Sequence, residues 1–181
     1  MLPLRVAEGA DAQWARLGGM DLIVERLRNG GLAVVPSETL LVAVANAAPD
    51  LRSADAVQRL RQATGATVLV EATLRRRGAE WVVGIELAAE DVRVLGEDHA
   101  ADPVGALEAA SDRVAAALGV DAFGASGDSA LVEHIQRARA ALLADQPAQA
   151  RAILERAPAT LRETPELRFH LAQVESRAGR M

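Results

Sequence analysis

Residues 67–87 read TVLVEATLRRRGAEWVVGIEL, and this stretch decides the fold. Apolar and β-branched side chains fill both ends of the stretch, while Arg77, Gly78 and Glu80 lie in a polar turn between them. This pattern is typical of two antiparallel strands joined by a short connection. We therefore predict a hairpin of strands 66–74 and 81–87.

The flanking sequence adds strands and helices to this hairpin. Apolar runs predict further strands at 2–7, 32–35 and 91–95. Three- and four-residue apolar spacing predicts helices at 14–27, 38–48, 53–64 and from Pro103 onward. Early strands separated by helices indicate parallel pairing, whereas the hairpin indicates antiparallel pairing. The predicted fold class is α/β (α+β), a mixed β-sheet flanked by helices over residues 1–119.

After residue 119 the character of the chain changes. Residues 120–127 are rich in Gly, Ala and Ser and predict a linker, and residues 128–181 predict helices only, at 131–143, 147–157 and 165–178. Ala138 and Ala172 are separated by the tetratricopeptide period, as are Ile135 and Phe169. Small or apolar residues also stand where that repeat brings two helices together: Ala138, Ala150, Leu154 and Ala157. We therefore expect a short tetratricopeptide-like tail that leans on the α/β domain or continues in a longer protein.

Composition limits the function classes. The 181 residues carry a net charge of −5, which disfavours direct contact with nucleic acid, because phosphate binding needs a basic excess. The absence of cysteine excludes disulfides and thiolate metal sites. No apolar stretch approaches the length of a membrane span.

Candidate catalytic residues are sparse. The three histidines, His99, His134 and His170, lie far apart without a metal-binding motif. The acidic residues near the end of the hairpin are typical of a solvated loop; they are Glu86, Glu90, Asp91, Glu97 and Asp98. Nucleotide-binding glycine motifs and a serine elbow are missing from the sequence. We therefore expect a protein without catalytic activity, cofactor or metal.

One feature indicates binding. Arg75, Arg76 and Arg77 stand beside Trp81 at the hairpin turn, and a cationic turn next to an indole can hold an anionic ligand or the acidic face of a partner. Arginines at a hairpin tip also keep a sheet edge soluble, so this second interpretation stays open.

Residues 17–118 resemble the TolB amino-terminal-type domain of CadC-like, membrane-bound winged-helix regulators. The resemblance is carried by four segments: LPL at 2–4, GLAVV at 31–35, TGA at 64–66 and VLVEATLRR at 68–76, with the returning strand WVVGIEL at 81–87. Ala72 and Thr73 replace the Gly-Ser pair of that family, and segment 91–95 lacks its usual aromatic residue. A repeat tail in this position follows the family order.

This resemblance implies a signal-input region of a one-component transcriptional regulator on the periplasmic side of the inner membrane, with a cytoplasmic location as the alternative. The winged helix and a membrane span would lie upstream of this chain. The implied partner is a protein or a small ligand, and a homodimer is one form of such an association. Two other functions fit the same residues: a tetratricopeptide-type adaptor, or an accessory domain of a nucleotide cyclase.

Overall fold

The computed structural model describes residues 1–7, 10–47, 53–88, 92–124 and 127–179. Its sheet has four strands in the order β1-β2-β3-β4. They are β1 (Arg5–Val6), β2 (Leu69–Arg77), β3 (Glu80–Ala88) and β4 (Val92–Ala100). Strand β1 pairs parallel with β2, whereas β2, β3 and β4 pair antiparallel. The predicted mixed sheet and its central hairpin are confirmed.

Four α-helices and one 3-10 helix belong to the sheet domain. They are η1 (Ala10–Arg16), α1 (Gly18–Asn29), α2 (Ser37–Ala47), α3 (Ala54–Thr64) and α4 (Pro103–Ala117). Helix α4 begins where the Asp102 carboxylate accepts a hydrogen bond from the Gly105 amide at 2.9 Å. Helix α4 packs on β3 and β4, and α1 packs on α4. The predicted helix 14–27 is divided at Leu17 into η1 and α1.

The prediction of a strand at 32–35 is wrong. This segment has no regular secondary structure, although Leu32, Val34 and Val35 pack against the main core. An apolar run indicates that its side chains are buried. Here the side chains are buried by packing on the core, and the segment does not pair with a strand. Strand β1, the neighbouring edge of the sheet, is only two residues long and offers little backbone to pair with.

The tail is helical, as predicted, and has its own small core. Its helices are α5 (Ser129–Leu143), α6 (Pro147–Glu155), α7 (Ala159–Arg162) and α8 (Pro165–Arg177). The short helix α7 is an addition to the prediction. The small residues singled out by the repeat spacing are buried in this core together with Leu154: Ala138, Ala150 and Ala157.

The described part of the predicted linker is anchored to the sheet domain. Arg26 of α1 is only 7% exposed and donates a hydrogen bond of 2.6 Å to the carbonyl of Gly124. The same guanidinium pairs with Glu108 at 3.3 Å and Asp112 at 3.1 Å, and lies over the Phe123 ring. Residues 125 and 126 lie outside the described part. The buried Arg26 thus holds residues 123 and 124 of the predicted linker against α1 and α4.

Candidate functional site

The hairpin tip separates the four residues that the sequence singled out. Arg76 and Trp81 are paired in the register, and the guanidinium lies 5.9 Å from the centre of the indole ring. Successive side chains of a strand alternate between faces, so Arg75 and Arg77 point to the other face. There Arg75 pairs with Glu97 of β4 at 2.6 Å. This hydrogen bond from Arg75 holds the pKa of Glu97 below its usual value.

The acidic residues and histidines do not converge. Glu97 and Asp98 each pair with an arginine, and Glu90 and Asp91 lie outside the described residues. His99 contacts Glu80 at 3.4 Å, while the other two histidines lie on the tail. Within the described ranges, no group of three or more metal-binding side chains is close enough to hold an ion. None of the helices described has the length and apolar character required to cross a bilayer.

A groove of about 770 Å³ lies between η1, α5 and α6. It is the place where the sheet domain and the tail together form one concave surface. The apolar part of its wall comes from both modules: Trp14, Leu17, Ala140, Ala141, Ala144 and Ile153. Polar side chains make up the remainder: Gln13, Arg16, Glu133, His134, Arg137, Gln146, Gln149 and Arg156.

The groove is electropositive although the chain as a whole is acidic. Three arginines and one glutamate line it, whereas the chain carries a net charge of −5. Glu133 is bound by Arg137 at 2.6 Å, and the same guanidinium lies 5.9 Å from the centre of the Trp14 ring. Among the described residues, Arg16 and Arg156 have neither an ion pair nor a hydrogen bond through their side chains. Two unneutralised cations therefore remain on this surface.

A close helix contact fixes the two walls of the groove. A Cβ atom added to Gly18 would lie 2.4 Å from the carbonyl oxygen of Gln136 in α5. The missing side chain at Gly18 therefore lets the start of α1 lie against the backbone of α5. The tail is held at this distance from η1, which precedes α1 directly.

A buried ionic cluster reinforces the same contact. Asp21 of α1 is 2% exposed and accepts a hydrogen bond from the Ser37 hydroxyl at 2.6 Å. Its other carboxylate oxygen is bound by Arg139 of α5, which also contacts Glu25 at 2.7 Å. Burial raises the pKa of Glu25, and the nearby Arg139 partly opposes this shift. At the far end of the tail, Arg177 of α8 pairs with Glu38 of α2 at 3.1 Å.

A second groove, of about 630 Å³, is apolar. It lies beside segment 32–35 and is lined on its other side by Ala66, Val68 and Val70. No charged side chain lines it. Apolar grooves of this size hold small ligands in many proteins, but this one offers few polar groups to orient a ligand.

Comparisons with protein-family models, with curated proteins and with solved structures found no match to this chain.

Sequence reasoning did not find the groove. Its residues come from η1 and from the tail, which are distant in the chain and are brought together only by the docking of α5. The single local signal is the four-residue spacing of Glu133 and Arg137, which predicts an ion pair on one helix face. The apolar spacing predicts that Trp14 lies on the apolar face of helix 14–27. In the structure its ring forms part of the groove wall.

Proposed function

We propose that this chain is a non-catalytic protein-interaction module that serves as the signal-input region of a one-component transcriptional regulator. The observation that supports it is the groove between η1, α5 and α6, because both modules contribute to its walls. A partner bound there contacts the sheet domain and the tail at once. Its binding energy therefore favours the docked arrangement of the two modules over any other arrangement.

The contacts of the two modules suit a signal-input role. The Asp21–Arg139 pair and the Gly18 contact lie between the two modules, so a change in their geometry alters how the tail is held. A coupling free energy of about 1–3 kcal/mol between two sites is typical of allosteric proteins. The resemblance to CadC-like regulators implies a winged helix and a membrane span upstream of this chain and a periplasmic location, with a cytoplasmic location as the alternative. An adaptor function and an accessory role beside a nucleotide cyclase are the alternatives.

Site-specific photo-crosslinking tests this proposal. A benzophenone amino acid replaces either Gln149, which lines the groove, or Gln62, an exposed glutamine of α3 that serves as the control. After irradiation of living cells, we expect a discrete protein adduct from position 149 and none from position 62. No adduct at 149, or equal adducts at both positions, would contradict an interaction role for the groove.

A transcript measurement distinguishes a signal-input region from an adaptor. Ala144→Trp fills the groove at an exposed position, whereas Ala63→Trp adds the same bulk on α3. For a regulator, RNA sequencing should show transcripts that change with Ala144→Trp and not with Ala63→Trp. Unchanged transcripts, together with a lost adduct at position 149, would favour the adaptor.

A further inference from the structure

The groove has the shape of a trough between two helices. Four of the residues that line it, in α5 and at its C-cap, lie four, three and four positions apart and form one row along a helix face: 133, 137, 140 and 144. Its α6 residues form a second row with the same spacing: 149, 153 and 156. Two such rows leave a channel into which the side-chain ridge of a third helix packs.

Small residues set the depth of this trough. Ala140, Ala141 and Ala144 lie on the α5 side, and Ile153 lies on the α6 side. Inside the tail, Ala138 and Ala150 are buried where α5 and α6 pack together. The alanines of the trough offer a third helix the same kind of close approach.

The element that covers the groove side of α5 and α6 is short. On another face of α6, Ala150 and Leu154 belong to the core that α8 completes with 13 residues of α-helix. On the groove side the neighbouring element is η1, a 3-10 helix of 7 residues. The groove of about 770 Å³ is the part of this trough that the described residues leave uncovered.

The charges define the chemistry of the occupant. Arg16 lies on the η1 wall and Arg156 at the end of the α6 row, and neither is neutralised within the described residues. The rest of the chain is acidic overall, so this surface attracts an acidic partner and the remainder repels it. The wall offers helix faces rather than a sheet edge, so an extended peptide would gain no backbone ladder here.

We propose that the groove binds an amphipathic helix of a partner protein, with small apolar side chains against Ala140 and Ala144 and acidic side chains toward Arg16 and Arg156. This inference rests on the proposed function and names the class of partner. Helix α5 has 15 residues, so a partner helix of about 15 residues, roughly 22 Å long, matches the trough.

Fluorescence anisotropy with two synthetic peptides tests the inference. Both are labelled 18-residue helices with alanine and leucine on one face; the first carries glutamate on the other face, and the second carries lysine. We expect the glutamate peptide to bind about tenfold or more tightly than the lysine peptide, with an affinity that falls as salt is added.

Two double variants locate the site. Arg16→Glu with Arg156→Glu should weaken binding of the glutamate peptide by about tenfold or more. Arg28→Glu with Arg93→Glu changes the net charge equally at exposed positions outside the groove, and should change the affinity by less than about threefold. Circular dichroism and thermal unfolding of both variants show that the fold is retained. Ala144→Trp, which leaves the charges intact, should also reduce binding because it fills the trough.

Each outcome of these binding measurements either supports or contradicts the inference. Equal binding of the two peptides, a loss of binding in the Arg28–Arg93 variant alone, or displacement of the peptide by a short DNA duplex would overturn the inference. If the photo-crosslink at position 149 forms but the glutamate peptide does not bind, the partner class is wrong while the interaction role stands. If both fail, the proposed function fails with it.

Discussion

Gly18 lies where the first turn of α1 meets the backbone of α5. A Cβ atom at this position would be 2.4 Å from the Gln136 carbonyl oxygen, and a backbone atom cannot move aside as a side chain can. Gly18→Ala should therefore lower the free energy of unfolding by about 1–3 kcal/mol, the usual cost of overpacking. Urea denaturation measured by circular dichroism gives this value directly.

Gly19 supplies the matched control for this prediction. Its added Cβ would meet only the side-chain ends of Leu107 at 3.1 Å and Leu4 at 3.2 Å, which can shift by a few tenths of an ångström. Alanine is also the better helix former, by about 1 kcal/mol. Gly19→Ala should thus change stability by less than about 1 kcal/mol. Equal losses for the two variants would show that the α1–α5 contact does not constrain the fold.

Gly18 and Gly19 also show which features of a single residue the sequence predicts and which it does not. Their position inside a helical pattern predicts a close contact between that helix and the sheet, or a kink; Gly18 instead packs against a helix of the tail. The partner is different for each: α5 for Gly18, and Leu4 and α4 for Gly19. Sequence spacing indicates that a small residue is needed at one position. It does not identify the distant element that packs against that position.

At the scale of the elements, the prediction is best where the signal is local. The hairpin and helices α4, α5 and α6 begin within about three residues of their predicted starts, because alternation and caps are encoded by neighbours. Strand β4 is longer than predicted and extends to Ala100. Its last residues are charged and lie at the sheet edge, where apolar patterning is not required.

Arg113 of α4 binds edge strand β4 through side-chain hydrogen bonds. Arg113 binds the Asp98 carboxylate through two hydrogen bonds, of 2.7 and 2.6 Å, and donates a third to the Leu95 carbonyl at 3.2 Å. Asp98 has a side-chain exposure of 12%, so removal of its partner leaves a largely buried carboxylate unpaired. We expect Arg113→Ala to cost about 1–3 kcal/mol and to speed amide hydrogen exchange in β4.

Arg75→Ala provides the comparison for this edge. Arg75 also pairs with a β4 carboxylate, but its partner Glu97 is 44% exposed. An exposed pair contributes less than about 1 kcal/mol, so this variant should be nearly neutral. If the two variants destabilise the chain equally, the burial of Asp98 does not decide the strength of the contact.

At the scale of the whole molecule, the sequence predicts two parts, with a tail that leans on the first part or continues in a longer protein, but not the residues that form the contact. The composition change at residues 120–127 indicates a junction, and the helices beyond it have a small core of their own. Arg139 of α5 binds Asp21 of α1 between the two parts, while Arg26 of α1 binds the carbonyl of Gly124 in the predicted linker. A single arginine in a helical pattern looks the same whether it faces solvent or a buried carboxylate, so neither residue stands out in the sequence.

The stability of the chain should depend on pH through His170 of α8. Burial and the neighbouring Arg139 lower the pKa of His170. Below about pH 6.5 the unfolded chain then binds a proton that the folded chain resists, so stability falls as the pH falls toward the lowered pKa. His170→Gln should flatten this slope in thermal unfolding between about pH 7 and pH 5.5, while His134→Gln on α5 should retain it.

Glu25 gives the opposite dependence at lower pH, which separates the two groups. Its pKa is raised by burial, so the folded chain takes up a proton before the unfolded chain does. Stability rises as the pH falls through that window, which ends near the ordinary value of the carboxyl group. Both residues lie around Arg139, so the slopes they produce report how firmly the tail is docked. A His170→Gln variant with the slope of the unaltered chain would mean that α8 does not bury this imidazole against α5.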